Sequence, residues 1–238
     1  METLPNDSRI FELKGYIERR QGNWEEAIRN LERAADLDPR NVDTLQHIAL
    51  SYEALRRHPE EKLVLDRALA IEPDNAETRV ASAFVEVNWQ ADTTADTRSL
   101  HQTIDSIRAT NPAAMPSIAG DWLNCALAER DPVAAKNALI ASGENPPLHD
   151  EAVHFNRPLM EGVIARMTKD AGKARVAFTA ARAEQEKTVQ AQPDYGPVLC
   201  MLGLIDAGLG RKKRKHYVKA GARSSFYRSK KTQSMVRS

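Results

Sequence analysis

The sequence lacks the features on which most secreted proteins and enzymes depend. Only two cysteines occur in 238 residues, Cys125 and Cys200, and neither lies in a Cys-x-x-Cys pair, which argues against a disulfide scaffold or a zinc ribbon. There is no glycine-rich phosphate loop, no Walker motif and no Gly-x-Ser-x-Gly elbow. No apolar run can span a bilayer, and the first residues do not form a secretory signal. These absences predict a cytoplasmic protein that is not an enzyme, needs no cofactor and has no membrane partner.

Acidic residues are absent from the last part of the chain. The stretch from Arg211 to Ser238 contains eleven Lys and Arg and no Asp or Glu, whereas the whole chain has 34 basic and 33 acidic residues. Removing those eleven from the 34 leaves 23 basic residues against 33 acidic ones in the remainder. A basic tail can bind the phosphates of a nucleic acid. It can equally be a solvated, disordered segment.

An internal repeat organises the rest of the chain. Pro5, Pro39 and Pro73 follow one another at intervals of 34 residues, which we call the repeat length. Between the first two prolines lie two amphipathic stretches, Ser8–Gln21 and Trp24–Leu37, whose apolar residues recur at helical spacing. Because proline cannot continue a helix, each junction ends one pair of helices and starts the next. The unit is predicted to be a helix-turn-helix hairpin.

The residues of this hairpin resemble the tetratricopeptide repeat (TPR) family, whose unit has the same length. The first unit carries the small residues and the proline of the family pattern at Gly15, Ala27, Ala34 and Pro39. The resemblance implies that the two helices, A and B, cross closely at these small residues, where a larger side chain would overpack the contact. The second unit has Glu61 where a small residue is expected, which predicts a loosely packed second helix.

The resemblance implies an all-α fold, an α-α superhelix (TPR solenoid) of about six helix-turn-helix units with the last incomplete. The second helix of the fifth unit is predicted to run seven residues beyond the family length, to the junction at Pro193. The predicted segments are a remnant of a preceding junction at 1–7, an array at 8–212 with units at about 8–41, 42–75, 76–112, 113–147, 148–193 and 194–212, and a basic tail at 213–238.

The tail lacks the apolar stripe and the acidic residues expected of helix B in the last repeat unit. Regrouping its codons from Lys213 into another frame, with permitted codon choices, gives a sequence that matches Trp24–Pro39 in its acidic pair, its alanines and its final proline. The tail is therefore predicted to be frame-shifted or disordered, and the chain to be truncated at both ends. The local sequence patterns of the chain most resemble the TPR region that follows bacterial serine/threonine kinase or winged-helix regulator domains. That resemblance implies a signalling context and no activity.

Two candidate reactive groups are set aside. His149 and His154 are spaced i, i+5, which would spread their imidazoles around a helix, whereas the helical zinc site of hydrolases needs histidines at i, i+4. Cys125 and Cys200 lie among apolar residues and are expected to be buried small hydrophobes. No metal site and no catalytic residue is predicted.

A solenoid of this family offers a concave surface lined by its A helices, wide enough for an extended peptide or a partner helix. The leading hypothesis is a protein-interaction scaffold whose partner is a protein, a peptide or a missing upstream regulatory domain, with self-association through uncapped ends also open. The alternative is a nucleic-acid accessory protein acting through the tail, and a third possibility is a truncated chain without function. In family register, the predicted binding face consists of Arg9, Glu12, Tyr16, Arg19, Gln46, Leu50, Glu53, Val80, Phe84 and Asn88.

Overall fold

The computed structural model describes residues 7–90, 97–143, 149–150 and 153–211. These residues are almost entirely α-helical, which confirms the all-α fold predicted from the repeat. None of the helices within them combines the length and the hydropathy needed to cross a bilayer. The chain divides into two compact units, Met1–Ile118 and Ala119–Ser238. From here on these are called the first unit and the second unit, and the predicted helix-turn-helix units are called repeats.

The described part of the first unit consists of α-helices, most of them joined by short turns. Its first two helices coincide with the two stretches predicted from the apolar periodicity. Each helix packs on the next along the chain, as expected of a solenoid. The helices are α1 (Ser8–Gln21), α2 (Trp24–Leu37), α3 (Val42–Ala54), α4 (His58–Ile71), α5 (Ala76–Gln90) and α6 (Thr97–Thr110), followed by a 3-10 turn at Pro112–Ala114.

The second unit has longer and less regular elements. Its long helix near the end confirms the predicted extension, because it runs to two residues before Pro193. The elements are α7 (Met115–Ala128), which begins in the last residues of the first unit, α8 (Pro132–Ala141), β1 (His149–Asp150), β2 (Val153–His154), α9 (Arg157–Met167), α10 (Ala171–Ala191) and α11 (Gly196–Gly208).

The close helix crossing expected at Gly15 is present. A Cβ on Gly15 would lie 2.6 Å from Leu31 Cγ and 3.2 Å from the carbonyl oxygen of Ala27. Real Cβ atoms do not approach other carbons so closely, so only glycine allows α1 to lie this near α2. Leu31 is fully buried beneath it.

The same crossing recurs in the second unit. Gly162 on α9 precedes Phe178 on α10 by sixteen positions, as Gly15 precedes Leu31, and a Cβ on Gly162 would lie 2.8 Å from two carbons of the Phe178 ring. A Cβ on Gly208 of α11 would lie 2.9 Å from two carbons of the same ring. The aromatic ring is therefore held between two glycines. The family spacing between glycine and its contact persists here, although the predicted repeat is longer than the repeat length.

The prediction of a loosely packed α4 at Glu61 is wrong. Leu65 and Ala68 of α4 are fully buried, and Glu61 is itself buried. The carboxylate is accommodated because Oε2 of Glu61 lies 2.9 Å from Nδ1 of His58, one helical turn earlier. Burial raises the pKa of Glu61. A buried polar pair thus replaces the small residue of the family pattern.

The segment before α9 is not the helix assumed for His149 and His154. These residues lie in β1 and β2, which pair antiparallel with the Cα of His149 opposite that of His154. The helical argument about their spacing was therefore wrong in its premise. α9 begins only after Asn156, whose side-chain oxygen accepts a hydrogen bond from the backbone N–H of Leu159.

The predictions for the two ends of the chain fall almost entirely on residues that the structure does not describe. The basic tail predicted at 213–238 and residues 1–6 of the junction remnant predicted at 1–7 lie outside the described residues. The helix A of the last predicted repeat is present as α11 (Gly196–Gly208).

Candidate partner-binding face

The predicted binding face lies wholly in the first unit. Arg9, Glu12, Tyr16 and Arg19 belong to α1. The members after them belong to α3 and α5, the A helices of the next two pairs. Their solvent exposure and their hydrogen-bond partners show which of them remain available to a partner.

Tyr16, Arg19 and His47 form a cluster between α1 and α3. The Tyr16 and His47 rings meet edge to face with their centroids 4.6 Å apart. The guanidinium carbon of Arg19 lies 5.8 Å from the centroid of the Tyr16 ring, and Arg19 Nη1 lies 3.3 Å from Nδ1 of His47. We call these three residues the Tyr16 cluster. It is an aromatic platform that carries a cation, a combination enriched at the energetic centres of protein interfaces.

The electrostatics of the cluster hold both rings uncharged. Burial, with the nearby carboxylates of Asp43 and Glu12, raises the pKa of Tyr16 to about 12. Burial is also the main cause that lowers the pKa of His47, and Arg19 adds to it while Asp43 and Glu12 oppose it. Near neutral pH the cluster therefore presents a phenol and a neutral imidazole beside one guanidinium.

Glu12 is bound to the next repeat. Its Oε1 accepts hydrogen bonds from Oγ1 of Thr44 at 2.7 Å and from Nδ2 of Asn41 at 3.1 Å. Asn41 also caps α3, since its Oδ1 accepts a hydrogen bond from the backbone N–H of Thr44. Asn41 therefore both caps α3 and takes part in the hydrogen bonds between the two repeats.

Gln46 makes the same link one repeat later. Its Nε2 donates to Oγ1 of Thr78 at 2.8 Å and to Oδ1 of Asn75 at 3.2 Å. Asn75 and Thr78 follow Asn41 and Thr44 by one repeat length, so the hydrogen-bond pattern repeats with the sequence. We call these two groups of hydrogen bonds the inter-repeat hydrogen bonds.

Val80 stands where a third link would begin. Its side chain is fully buried, with 0% exposure, so it has no surface to offer a partner. We therefore leave Val80 out of the face proposed below.

The remaining members lie along α3 and α5. Nδ2 of Asn88 donates to Oε1 of Glu53 at 3.0 Å and joins the two helices near their C-terminal ends. Leu50 and Phe84 are half-buried, and Arg9 at the other end of the face is exposed. Together with the Tyr16 cluster these residues form a mixed apolar and charged strip.

We expect loss of an inter-repeat hydrogen bond to weaken the first unit modestly. Thr44→Val keeps the side-chain shape and removes the hydroxyl that donates to Glu12, which should cost about 0.5–1.5 kcal/mol of unfolding free energy. Thr78→Val should cost a similar amount, and the two losses should add because the sites share no partner. Urea denaturation of both single variants and the double variant measures this. A combined loss far from the sum would show that the links are not independent.

A cavity in the second unit was not found by sequence reasoning. It has a volume of about 590 Å³ and lies where the extension of α10 meets the start of α11 and the residues before α9. Beside the cavity, Nε2 of Gln185 on α10 donates a hydrogen bond to the carbonyl oxygen of Val198 on α11 at 3.0 Å. The only feature of the sequence that pointed to this cavity was the predicted extension of α10 beyond the family length. Its lining residues are Phe155, Asn156, Glu184, Gln185, Thr188, Gln192, Tyr195, Pro197, Val198 and Met201.

Comparison with known proteins agrees with the repeat geometry. A family model described as a TPR repeat matches residues 15–55, which span α2, α3 and the close crossing at Gly15. The match identifies a TPR repeat within residues 15–55. TPR repeats in general mediate protein–protein interactions.

Solved structures with a similar trace include MamA. A crystal structure of MamA protein is 18% identical, with 90% of this chain and 89% of that chain covered and a TM-score of 0.38. A MamA mutant is also 18% identical, covers 90% of this chain and 96% of that chain, and has a TM-score of 0.34. No curated protein matches the chain.

Proposed function

We propose that this TPR array is a non-catalytic scaffold that binds an extended peptide or a partner helix along the A helices of its first unit. The Tyr16 cluster is the observation that carries the proposal. It combines a half-buried aromatic pair with a guanidinium, and such groups supply most of the binding energy at protein interfaces. Leu50 and Phe84 extend the contact along α3 and α5.

The face supports binding because it is ordered before a partner arrives. Glu12 and Gln46 are tied to the following repeat by the inter-repeat hydrogen bonds, and Asn88 is tied to Glu53. A side chain that is already held loses less conformational entropy when a partner binds. In this proposal Glu12 and Gln46 position the helices, whereas Arg9, Arg19, Leu50 and Phe84 contact the partner.

The proposal includes the signalling context that the resemblance of the sequence to bacterial regulators predicts. In that context the array works beside a regulatory domain of a bacterial signalling protein in the cytoplasm. The upstream domain, or a peptide from it, is then one candidate partner.

The experiment is a selection of twelve-residue peptides from a phage-displayed library on the immobilised 238-residue chain. The selected peptide is then titrated against variants by fluorescence anisotropy. Arg19→Ala and Phe84→Ala should each weaken binding at least about tenfold, as expected for residues at the centre of an interface.

Arg29→Ala is the matched control for this titration. Arg29 is an exposed arginine on helix B α2, outside the predicted binding face, and its ion-pair partner is Glu26 on the same helix. Its removal should leave the affinity unchanged. Selected peptides that bind all three variants as tightly as the unaltered chain would refute the proposed face, provided that circular dichroism shows each variant folded.

A further inference from the structure

The extension of α10 leaves a cavity inside the second unit. α10 has 21 residues, whereas α2, the second helix of the first repeat, has 14. Nδ2 of Asn156, just before α9, donates to the carbonyl oxygen of Ala181 on α10 at 3.1 Å, so the residues of α10 after Ala181 extend past the start of α9. Two additional turns carry the start of α11 about 10 Å farther along the helix axis. The space between them is the cavity of about 590 Å³, which we call the α10 cavity.

The side chains that would close this space are apolar. In the first unit, Glu12 of one A helix accepts a hydrogen bond from Thr44, the third residue of the next A helix. The same positions on α9 and α11 hold Leu159, three residues before the glycine of the close crossing, and Val198, the third residue of its helix. Neither side chain can form the inter-repeat hydrogen bond. These two positions are therefore not linked as they are in the first unit.

The α10 cavity is apolar in its depth and polar at its rim. Val198 and Met201 on α11 line it and are buried, with 8% and 2% exposure. Glu184 and Thr188 lie one turn apart on α10, line it as well, and are exposed. The hydrogen bond from Gln185 to the carbonyl oxygen of Val198 joins these two walls, and Gln185 is itself buried. The cavity thus has a fixed frame with different chemistry at its two levels.

The rim carries one sign of charge. Glu184 is the only charged side chain among the described residues that line the cavity. Its carboxylate forms no hydrogen bond or ion pair with any residue that the structure describes. Arg182, the arginine nearest to it along α10, is engaged by Asp206 and Glu186. Tyr195, which also lines the cavity, adds an aromatic ring, and such rings attract cations. The rim therefore favours a cation.

We propose that the α10 cavity binds a small organic cation with an apolar body, such as an arylalkylammonium ion. The apolar body lies against Val198 and Met201, and the ammonium group meets the carboxylate of Glu184. The volume of about 590 Å³ falls within the roughly 300–1,000 Å³ that small-molecule sites occupy. The cavity belongs to the second unit and shares no residue with the partner-binding face, so this proposal does not rest on the proposed function.

Isothermal titration calorimetry of the 238-residue chain with the hydrochlorides of phenethylamine, tryptamine and hexylamine tests the proposal. At least one of these amines should bind with a dissociation constant of about 1 mM or lower, a modest affinity for a ligand of this size. The anion 3-phenylpropionate has the same phenyl and ethylene groups as phenethylamine and should bind at least about tenfold more weakly. Absence of binding by all three amines overturns the proposal.

Glu184→Gln removes the charge and keeps the shape of the side chain. It should weaken binding of the amines about threefold to fivefold, since the ion pair is exposed, and should not weaken binding of 3-phenylpropionate. Glu77→Gln is the matched control, because Glu77 is exposed on α5 in the first unit and its loss changes the net charge equally. Equal affinities of the amines for these two variants overturn the proposed contact with Glu184.

Thr188→Trp tests the place of binding. Thr188 is exposed on α10, so an indole at this position fills the rim without entering the core, and amine binding should be lost. Thr179→Trp makes the same change at an exposed position of the same helix outside the cavity and should bind the amines as the unaltered chain does. Circular dichroism verifies that both variants are folded. Unchanged amine binding by Thr188→Trp overturns the proposed site.

A lysine side chain of a peptide offers the same chemistry as a free amine. A capped tripeptide with lysine at its centre is therefore titrated in parallel. The free amines should bind more tightly, because their whole apolar body can enter the cavity, whereas the lysine side chain carries a polar backbone with it. Tighter binding of the tripeptide than of every amine would assign the cavity to a peptide side chain and overturn the proposal of a small molecule.

Discussion

Replacement of Arg182 by methionine is expected to destabilise the second unit by about 3 kcal/mol, because a buried carboxylate loses the nearer of its two cations. Nε of Arg182 on α10 donates to Oδ1 of Asp206 on α11 at 2.8 Å, and Asp206 is only 2% exposed. This hydrogen bond raises the pKa of Arg182. Among the residues that the structure describes, Oδ2 of Asp206 has no hydrogen-bond partner. A second cation, Nη1 of Arg211, lies 4.0 Å from Oδ1 of Asp206, so Arg182 makes the shorter ion pair.

Urea denaturation followed by far-UV circular dichroism measures the loss. The double variant Arg182→Met with Asp206→Leu should recover most of it, since a buried ion pair replaced by apolar side chains of similar volume is often neutral or stabilising. Arg175→Met supplies the matched control, because Arg175 is an exposed arginine on the same helix. It should change the unfolding free energy by less than about 0.5 kcal/mol. If Arg182→Met costs no more than this control, the pair contributes nothing.

The helix pairs could be predicted from the sequence because their signals are local. The apolar periodicity of α1 and α2 and the junction prolines fix the ends of these helices to the residue. The glycine at the crossing could also be predicted, because close approach of two helices excludes any side chain there. The two short strands before α9 could not, since His149–His154 contains no alternating run long enough to favour a strand over a helix turn.

The candidate site could be predicted only in outline. Family register places A-helix positions on one face, and two of these residues, Tyr16 and Arg19, contact each other in the structure. Register does not show that Glu12 and Gln46 are bound to the next repeat, because those links depend on Thr and Asn side chains of the following helix pair. Nor does it show that Val80 is buried. Helical periodicity predicts the face of the helix on which a residue lies. It does not predict the residues that contact it, because these depend on tertiary packing.

Replacement of Gly15 by alanine is expected to destabilise the first unit by about 1–2 kcal/mol, although alanine favours a helix more than glycine does. The new methyl carbon would lie 2.6 Å from Cγ and 2.8 Å from Cδ2 of Leu31. Overpacking of this kind costs about 1–3 kcal/mol, against a gain in helix propensity of up to about 1 kcal/mol. The backbone carbonyl of Ala27, 3.2 Å from the new methyl group, prevents easy relief by side-chain motion alone.

Gly120→Ala is the matched control, since Gly120 lies within α7 and a Cβ there would meet nothing within 4 Å. It should stabilise the chain by about 0.5–1 kcal/mol, the opposite sign to Gly15→Ala. The clash can be assigned by adding Leu31→Ala to both backgrounds and measuring urea denaturation. Truncation of Leu31 should cost less when residue 15 is already alanine, because it removes the overlapping atoms. Equal costs in the two backgrounds would place the strain elsewhere than at the crossing of α1 and α2.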